Sequence, residues 1–423
     1  MSHDLIYSTR REFLHGTLGT LSLSATMPAF LVRTAEAARE EDKPNDKILV
    51  MVQLAGGNDG LNTVVPYADD NYHRARPGLA VKPADVLKIN DHVGLHPALG
   101  GMKELYDDGL LAIVQGVGYP NPNRSHFKSM DIWHTADPGG RKHTGWLGRY
   151  IDNCCKGSDP PKPNAAIALM PEAPLALMGR DFSPLAFQDE HSLRWRSKNS
   201  SDNARKLFAD LNDGRPAKPA GKGKKKHSNE ALNFLRRATL EARLGAAEVH
   251  TAAKGRVHGP TGGRRGNLQG QLSLVLQMIA ADFPTSVYYV SLGGFDTHAN
   301  QTNRHRQLLT QLGTALRSFM AELKKHKLAD RVLLASFSEF GRRVGQNASG
   351  GTDHGTAAPM FLMGTRIKPG MHHKHPALDR LDGGDLIHGC DFRRVYAAIL
   401  RDWLETPPQR ILHGQFAPLK III

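Results

Sequence analysis

Residues 48–63, ILVMVQLAGGNDGLNT, form an apolar run that ends in two glycines, an asparagine and an aspartate. An uncharged run of this length is typical of a strand that is buried on both faces, and such strands occur mainly in parallel sheets. The glycines end the strand and permit a tight turn. The run therefore predicts a central strand of an α/β sheet, with Asp59 at its carboxyl end.

Further apolar runs alternate with amphipathic segments along the rest of the chain. This alternation predicts a three-layer α/β/α sandwich with a mostly parallel sheet, formed by one domain from residue 45 to 423 with an irregular basic insertion at about residues 170–230. The predicted strands are residues 47–57, 110–118, 165–169, 285–298, 331–341 and 359–364, and the predicted helices are residues 97–109, 230–249, 268–282, 304–328 and 391–405.

The composition is that of a globular chain with an excess of positive charge. The 423 residues are 40% hydrophobic and carry a net charge of +14, which favours anionic partners. Much of this charge lies in the Lys-rich tract at residues 214–229, where no aromatic residues are interleaved, and nucleic-acid binding is therefore disfavoured. Three cysteines without a C-x-x-C pair argue against a disulfide framework and a zinc ribbon.

Residues 1–37 have the features of a twin-arginine signal peptide. The pair Arg10–Arg11 precedes a moderately apolar stretch, and Ala35 and Ala37 supply the small residues that a signal peptidase requires. No later segment is apolar for long enough to span a bilayer. We therefore expect the leader to engage the twin-arginine export machinery, and the mature protein to reside in the periplasm or outside the cell.

Several predicted strands are flanked, at one edge of the predicted sheet, by glycines and by side chains that bind cations. In open α/β sheets ligands bind at the carboxyl ends of the strands, and carboxylates and imidazoles are ligands of divalent ions. The pattern predicts a site for one or two divalent ions such as zinc, manganese or calcium. The candidate ligands are Asp59 after the first strand, Asp296 and His298 after residues 285–293, Glu339 after residues 331–337, and Asp353 with His354 in the loop before residues 359–364.

Ser125 lies at the start of a helix predicted within residues 121–135. A serine there feels the positive end of the helix, and a nearby dication would lower its pKa further and produce a nucleophile. The alternative is that Ser125 only caps the helix, and the role of the adjacent His126 stays open between a metal ligand, a substrate contact and a surface group. Arg124, Arg342 and Arg343 are candidates for neutralising an anionic substrate. For Arg342 and Arg343 the alternative is that they are solvated residues after a strand.

Five segments, together with the leader, resemble the DUF1501 family, which is assigned to the alkaline phosphatase-like superfamily of sulfatases and phosphoesterases. The resemblance runs from about residue 45 to residue 405 and implies the fold of those metallohydrolases. The segments are QLAGGNDGLNTVVPY (53–67), RSHFKSMDIW (124–133), GGFDTHANQ (293–301), SEFGRRVGQNASGGTDHGTA (338–357) and DFRRVYAAIL (391–400).

The resemblance also implies roles for individual residues. Asp59 matches the metal-binding aspartate that ends the first strand, Ser125 matches the nucleophile, and Asp296 with His298 matches an Asp-x-x-x-His pair at a shorter spacing. Two alignments remain for the other ligands. In the preferred one, Glu339 and Phe340 replace an Asp-His pair and His354 is the last ligand. In the second, Asp353–His354 is that pair and the last ligand is one of His372, His373, His375 and His388.

The residues and the resemblance together lead to one leading hypothesis and two alternatives. The leading hypothesis is an exported, metal-dependent hydrolase of phosphate or sulfate esters. The first alternative is a non-catalytic protein of the same fold that binds an anionic polysaccharide or another cell-surface component. The second, a metal-free serine hydrolase, is disfavoured because no G-x-S-x-G motif is present.

Overall fold

A computed structural model describes residues 47–154, 163–188 and 267–423. The predicted signal peptide, the helix predicted at residues 230–249 and the Lys-rich tract lie outside these ranges. The described start of the predicted insertion, residues 170–188, contributes a short strand to the edge of the main sheet.

The described strands and helices follow the order that the sequence predicts. The strands are β1 (Ile48–Ala55), β2 (Val64–Val65), β3 (Leu87–Lys88), β4 (Gly94–Leu95), β5 (Leu111–Gly118), β6 (Ala166–Ala168), β7 (Leu185–Ala186), β8 (Val287–Gly293), β9 (Val332–Phe337), β10 (Ala358–Met363), β11 (Gly370–His372), β12 (Leu381–Asp382), β13 (Asp385–Leu386) and β14 (Cys390–Asp391). The helices are α1 (Asp70–Ala75), α2 (Gly100–Asp107), α3 (His126–Thr135), α4 (Trp146–Cys154), α5 (Leu268–Ala280), α6 (Gln301–Lys325), α7 (Phe392–Ala398) and α8 (Pro408–Leu412), and a π-helix (Ile399–Trp403) continues α7.

A nine-stranded sheet forms the centre of the domain. Its order is β11-β5-β10-β9-β1-β8-β6-β7, with β14 also paired to β5. Within this sheet every strand runs parallel to β1 except β10, which is antiparallel to both β5 and β9. The predicted mostly parallel sheet is confirmed.

Successive residues of β1 face opposite layers, as they must in a strand. Val50 and Val52 pack with α2, α5 and α6, whereas Leu49 and Met51 pack with α3, α4 and α7. All four side chains are completely buried. Helices therefore cover both faces, and the predicted three-layer sandwich is confirmed. No helix in the described ranges is both long and apolar enough to cross a bilayer.

A series of three hydrogen-bonded polar side chains connects α3 with the central sheet. His134 in α3 places Nε2 3.0 Å from Tyr289 Oη, and the Tyr289 hydroxyl donates to Gln53 Oε1 at 2.7 Å. Because the tyrosine proton is used on Gln53, the Nε2–H of His134 donates to Oη. Burial lowers the pKa of His134 from 6.5 to about 3.

We predict that His134 makes the protein less stable at acidic pH. Below pH 6.5 His134 is protonated in the unfolded chain, whereas in the folded chain it stays neutral down to about pH 3. The free energy of unfolding therefore falls as the pH decreases from 6.5 to 3. Between pH 7 and pH 4.5 the contribution is about 2–3 kcal/mol. Urea unfolding of His134→Gln should show a pH dependence that is smaller by this amount. His143→Gln, at an exposed position, is the control, and equal pH dependence in wild type and His134→Gln would contradict the prediction.

Candidate active site

The carboxyl ends of β1, β8 and β9 meet at one edge of the sheet because these strands are adjacent and parallel. β10 is antiparallel to β9, so the loop that precedes β10 arrives at the same edge. The end of β5 leads to the start of α3. Loops that are distant in sequence are thereby brought to one place, as the parallel sheet predicts.

Three histidines converge on the carboxylate of Asp296 at this edge. Nε2 of His298 and Nε2 of His354 each lie 3.0 Å from Asp296 Oδ1, and Nε2 of His126 lies 3.5 Å from Asp296 Oδ2. The Nε2 atoms of His298 and His354 are 2.9 Å apart. His126, Asp296 and His354 each offer one ligand atom, and these atoms lie within 4.8 Å of one another. We call these three histidines and Asp296 the imidazole cluster.

The other ring nitrogen of each histidine faces an oxygen acceptor. A backbone carbonyl or an ionised carboxylate can only accept, so each Nδ1 carries the hydrogen and each Nε2 presents its lone pair to the cluster. The three pairs are His126 Nδ1 with Glu339 Oε1 at 2.9 Å, His298 Nδ1 with Asp353 Oδ1 at 3.3 Å, and His354 Nδ1 with Arg124 O at 2.8 Å.

This donor set fits a divalent cation. The lone pairs of His298 and His354 face each other at 2.9 Å, an arrangement that repels unless a cation lies between them. Three imidazole nitrogens and one carboxylate oxygen are ligands that zinc and related ions accept. Burial raises the pKa of Asp296, but the hydrogen bond and the positive charge of Arg342 outweigh it and lower that pKa to about 2, so the carboxylate is ionised at neutral pH.

Glu339 and Asp353 lie behind the imidazoles in the structure. Glu339 is only 2% exposed, and its Oε1 also accepts from the backbone N–H of Gly56 at 2.8 Å. Gly56 has φ +117°, and a Cβ there would lie 2.4 Å from the backbone nitrogen of Asp296. The glycine after β1 thus lets the backbone reach the carboxylate that orients His126.

Arg342, a predicted substrate-binding residue, has a completely buried side chain. Its guanidinium donates to Asp296 Oδ1 at 2.8 Å and to the carbonyls of Gly57 at 2.7 Å and Thr352 at 2.9 Å. It also donates to the carbonyls of Gly56 and Phe295. With its donors used in this way, Arg342 orients Asp296 and ties loops together, and it does not face solvent.

Asp59 is not brought into the imidazole cluster. Its carboxylate is fully buried and accepts from Arg76 Nη1 at 2.6 Å, from Gln301 Nε2 at 2.5 Å and from the backbone N–H of Asn62 at 3.3 Å. Burial alone would raise the pKa of Asp59. The positive charge of Arg76 and the hydrogen bonds from Arg76 and Gln301 outweigh burial, so the pKa of Asp59 lies below its ordinary value. The charge that was expected to bind a metal ion is balanced by a guanidinium.

Ser125 is the N-cap residue of α3 and is exposed, but its side chain makes no capping hydrogen bond. Its backbone N–H donates to Asn123 Oδ1 at 2.8 Å. The hydroxyl of Ser125 is therefore not engaged in capping the helix. Ser125 directly precedes His126 of the imidazole cluster in the sequence. The structure thus does not support the simple capping role.

His126 is the site residue whose role the sequence left open. The one indication in the sequence that His126 belongs to the site was its position next to Ser125, at the start of a helix that follows β5. The four histidines of the second alignment are not part of the candidate metal-binding group in the described ranges, which contains His354 instead. His372 Nε2, for example, lies 2.7 Å from the carbonyl oxygen of Lys368. The geometry favours the first alignment.

Comparison with known families places this site in context. The model of the DUF1501 family, a protein family of unknown function, matches residues 112–380. This range is more than half of the 423 residues, and the chain belongs to this family. Of the predicted site residues, Asp59 and the alternative ligand His388 lie outside the matched range. A search of curated proteins gave no match.

Solved structures that resemble the chain do so at low similarity. The lipoteichoic acid synthase LtaP from Listeria monocytogenes is 10% identical, with 78% of this chain and 68% of that chain covered and a TM-score of 0.30. A protein in the alkaline phosphatase superfamily from Vibrio parahaemolyticus is 9% identical, with coverages of 78% and 63% and a TM-score of 0.33. The sulfatase PsFucS1 from Pseudoalteromonas sp. is 10% identical, with coverages of 82% and 67% and a TM-score of 0.33. Similarity at this level carries no information on substrate or reaction.

We predict that Arg76→Met strongly destabilises the protein. The substitution leaves the carboxylate of Asp59 buried and unpaired, which costs about 3–5 kcal/mol. Denaturant unfolding measures this loss, and the double variant Asp59→Asn/Arg76→Met should recover part of it. Arg74→Met, at an exposed position of helix α1, which Arg76 directly follows, is the matched control. A free energy of unfolding for Arg76→Met equal to that of the control would contradict the prediction.

Proposed function

We propose that this chain is an exported, metal-dependent hydrolase of phosphate or sulfate esters, with Ser125 as its nucleophile. One observation carries the proposal: three imidazole Nε2 atoms converge on the ionised Asp296, and one of them belongs to His126, which directly follows a serine whose hydroxyl does not cap its helix. Such a combination of a cation-binding donor set and a free hydroxyl at a helix terminus suits attack on an anionic ester.

His126, His298, His354 and Asp296 would hold one divalent ion, which when bound would polarise the ester and lower the pKa of a neighbouring hydroxyl. Glu339 and Asp353 orient two of the imidazoles and raise their basicity, as carboxylates commonly do behind metal-binding histidines. This assignment changes the predicted role of both carboxylates from direct ligands to groups that position the ligands.

Ser125 Oγ would attack the phosphorus or sulfur atom of the ester. A bond forms between Oγ and that atom, the bond to the ester oxygen breaks, and the alcohol leaves with a proton. Water then cleaves the serine ester, which releases phosphate or sulfate and returns the hydroxyl. The N-terminus of α3 directs backbone N–H groups towards the negative charge of the transferred group.

We expect Ser125→Ala and His126→Ala to reduce turnover of aryl phosphates or aryl sulfates about 100-fold or more, because the first removes the nucleophile and the second removes a ligand of the ion that would polarise the ester. The measurement is hydrolysis by protein purified through its native export route, with Mn²⁺ or Zn²⁺ added. Lys128→Ala, on the exposed side of the same helix, is the matched control and should retain activity. Full activity of Ser125→Ala would rule out the proposed nucleophile.

We expect elemental analysis to find one divalent ion per chain. His354→Ala and His298→Ala should reduce this content, because each removes one of the nitrogen atoms around Asp296. Asp59→Asn should keep the ion, because the carboxylate of Asp59 is paired with Arg76. Loss of metal from Asp59→Asn alone, in a folded protein, would favour the original assignment of Asp59 as a ligand.

A second function is favoured by the two buried arginines. Arg76 balances Asp59, and Arg342 pairs with Asp296, so two carboxylates predicted to bind metal ions have guanidinium partners. This arrangement suits a non-catalytic protein that binds an anionic polysaccharide or another cell-surface component with its positive charge. Absence of turnover on the whole ester panel, together with binding of a sulfated glycan, would support this function over the hydrolase.

A further inference from the structure

Asp385 lies between two arginines beside the imidazole cluster. Its Oδ2 is 3.3 Å from Arg124 Nη1, and its Oδ1 is 3.5 Å from Arg343 Nε. The carboxylate is 6% exposed, whereas the side chains of Arg124 and Arg343 are 50% and 37% exposed. One buried carboxylate therefore holds the inner sides of two guanidiniums whose outer sides reach solvent.

The fold attaches this group to the candidate active site at two points. Arg124 directly precedes Ser125, and its carbonyl accepts from His354 Nδ1. The backbone N–H of Arg343 donates to the carbonyl of Asp353 at 3.0 Å, next to the imidazole cluster. The backbones of the two arginines are therefore tied to residues of the site.

A tight hairpin supplies Asp385. β12 pairs with β13 through Gly383 and Gly384, which have φ values of +58° and +93° that glycine adopts without strain. Arg343 Nη2 donates to the carbonyl of Gly383. The hairpin thus fixes both the carboxylate and one guanidinium.

The two guanidiniums of the group keep sides that face solvent. Arg124 meets Asp385 through Nη1 and Arg343 meets it through Nε, and both arginine side chains remain partly exposed, while the carboxylates of Asp353 and Asp382 add negative charge close by. An arginine presents five N–H donors in a planar fork that suits oxyanions. The donors of Arg342, by contrast, are already directed to carbonyls and to Asp296.

We propose that Arg124 and Arg343, positioned by Asp385, form a second anion-binding site that takes an oxyanion of the substrate other than the reacting ester. The inference rests on the proposed function and narrows its substrate to molecules with at least two anionic groups, such as a saccharide that carries two sulfates. Asp385 is a positioning residue in this site. The two arginines contact the ligand.

Calorimetric binding of two probes tests the proposal, one a monosulfated hexose and the other the same hexose with two sulfates. We expect the wild type to bind the disulfated probe about tenfold more tightly or better, because the second sulfate accepts hydrogen bonds from charged guanidiniums. Arg343→Gln should bring the two affinities close to each other. Arg410→Gln, an exposed arginine on α8, is the matched control and should keep the tenfold ratio.

Removal of Arg343 alone leaves Asp385 with one partner fewer and can impair folding. The double variant Arg343→Gln/Asp385→Asn removes the buried charge as well, and Arg124→Lys keeps the charge of the other arginine but loses its planar fork. Each should lower the ratio of the two affinities. An unchanged ratio in both of these folded variants would overturn the proposal.

The same variants separate this inference from the proposed hydrolase function. If the wild type hydrolyses aryl esters while its affinity ratio is unaffected by these substitutions, the second anion-binding site is wrong and the hydrolase stands. If the wild type hydrolyses no ester but the ratio falls in the variants, the site for the second oxyanion stands and the hydrolase is wrong.

Discussion

The guanidinium of Arg342 joins the loops that form the candidate site. It contacts the carbonyls of Gly56 and Gly57 after β1, the segment of Phe295 and Asp296 after β8, and the loop that precedes β10, while Arg342 itself follows β9. Unpaired carbonyls at this depth would each cost free energy, and a planar group with five donors satisfies several at once. The position of Asp296, and with it the convergence of the imidazoles, depends on this one side chain.

The imidazoles are also oriented by protein groups behind them. Each imidazole is held at Nδ1 by a carboxylate or a carbonyl, and Glu339 in turn is held by the backbone of Gly56. Little conformational entropy is then lost when a ligand binds, so more of the interaction energy appears as affinity. Phe340 packs against the rings of His126 and His354, with centroid distances of 4.9 and 4.6 Å, and restricts their rotation further.

The sequence predicted the sheet, its layers and the edge that carries the site, because long apolar runs define buried strands and parallel strands end together. It did not predict which carboxylates would face the imidazoles. Asp59 sits at the strand end as expected, yet its orientation is decided by Arg76, a residue near the end of α1 with no distinguishing local pattern. Glu339 and Asp353 have the residue types of metal ligands. In the structure the rings of His126 and His298 lie between these carboxylates and Asp296, so the two carboxylates contact imidazoles, which the sequence did not indicate.

The position of β1 within the sheet also bears on how the chain folds. Leu49 pairs with Val287 on one side and with Leu333 on the other, so the first long strand has no neighbour until most of the polypeptide has been synthesised. Such long-range pairing slows folding, and an apolar strand with two open edges is a template for aggregation while it waits. Until β9 has emerged, β1 of the nascent chain therefore lacks one of its two native neighbours and is exposed to such pairing.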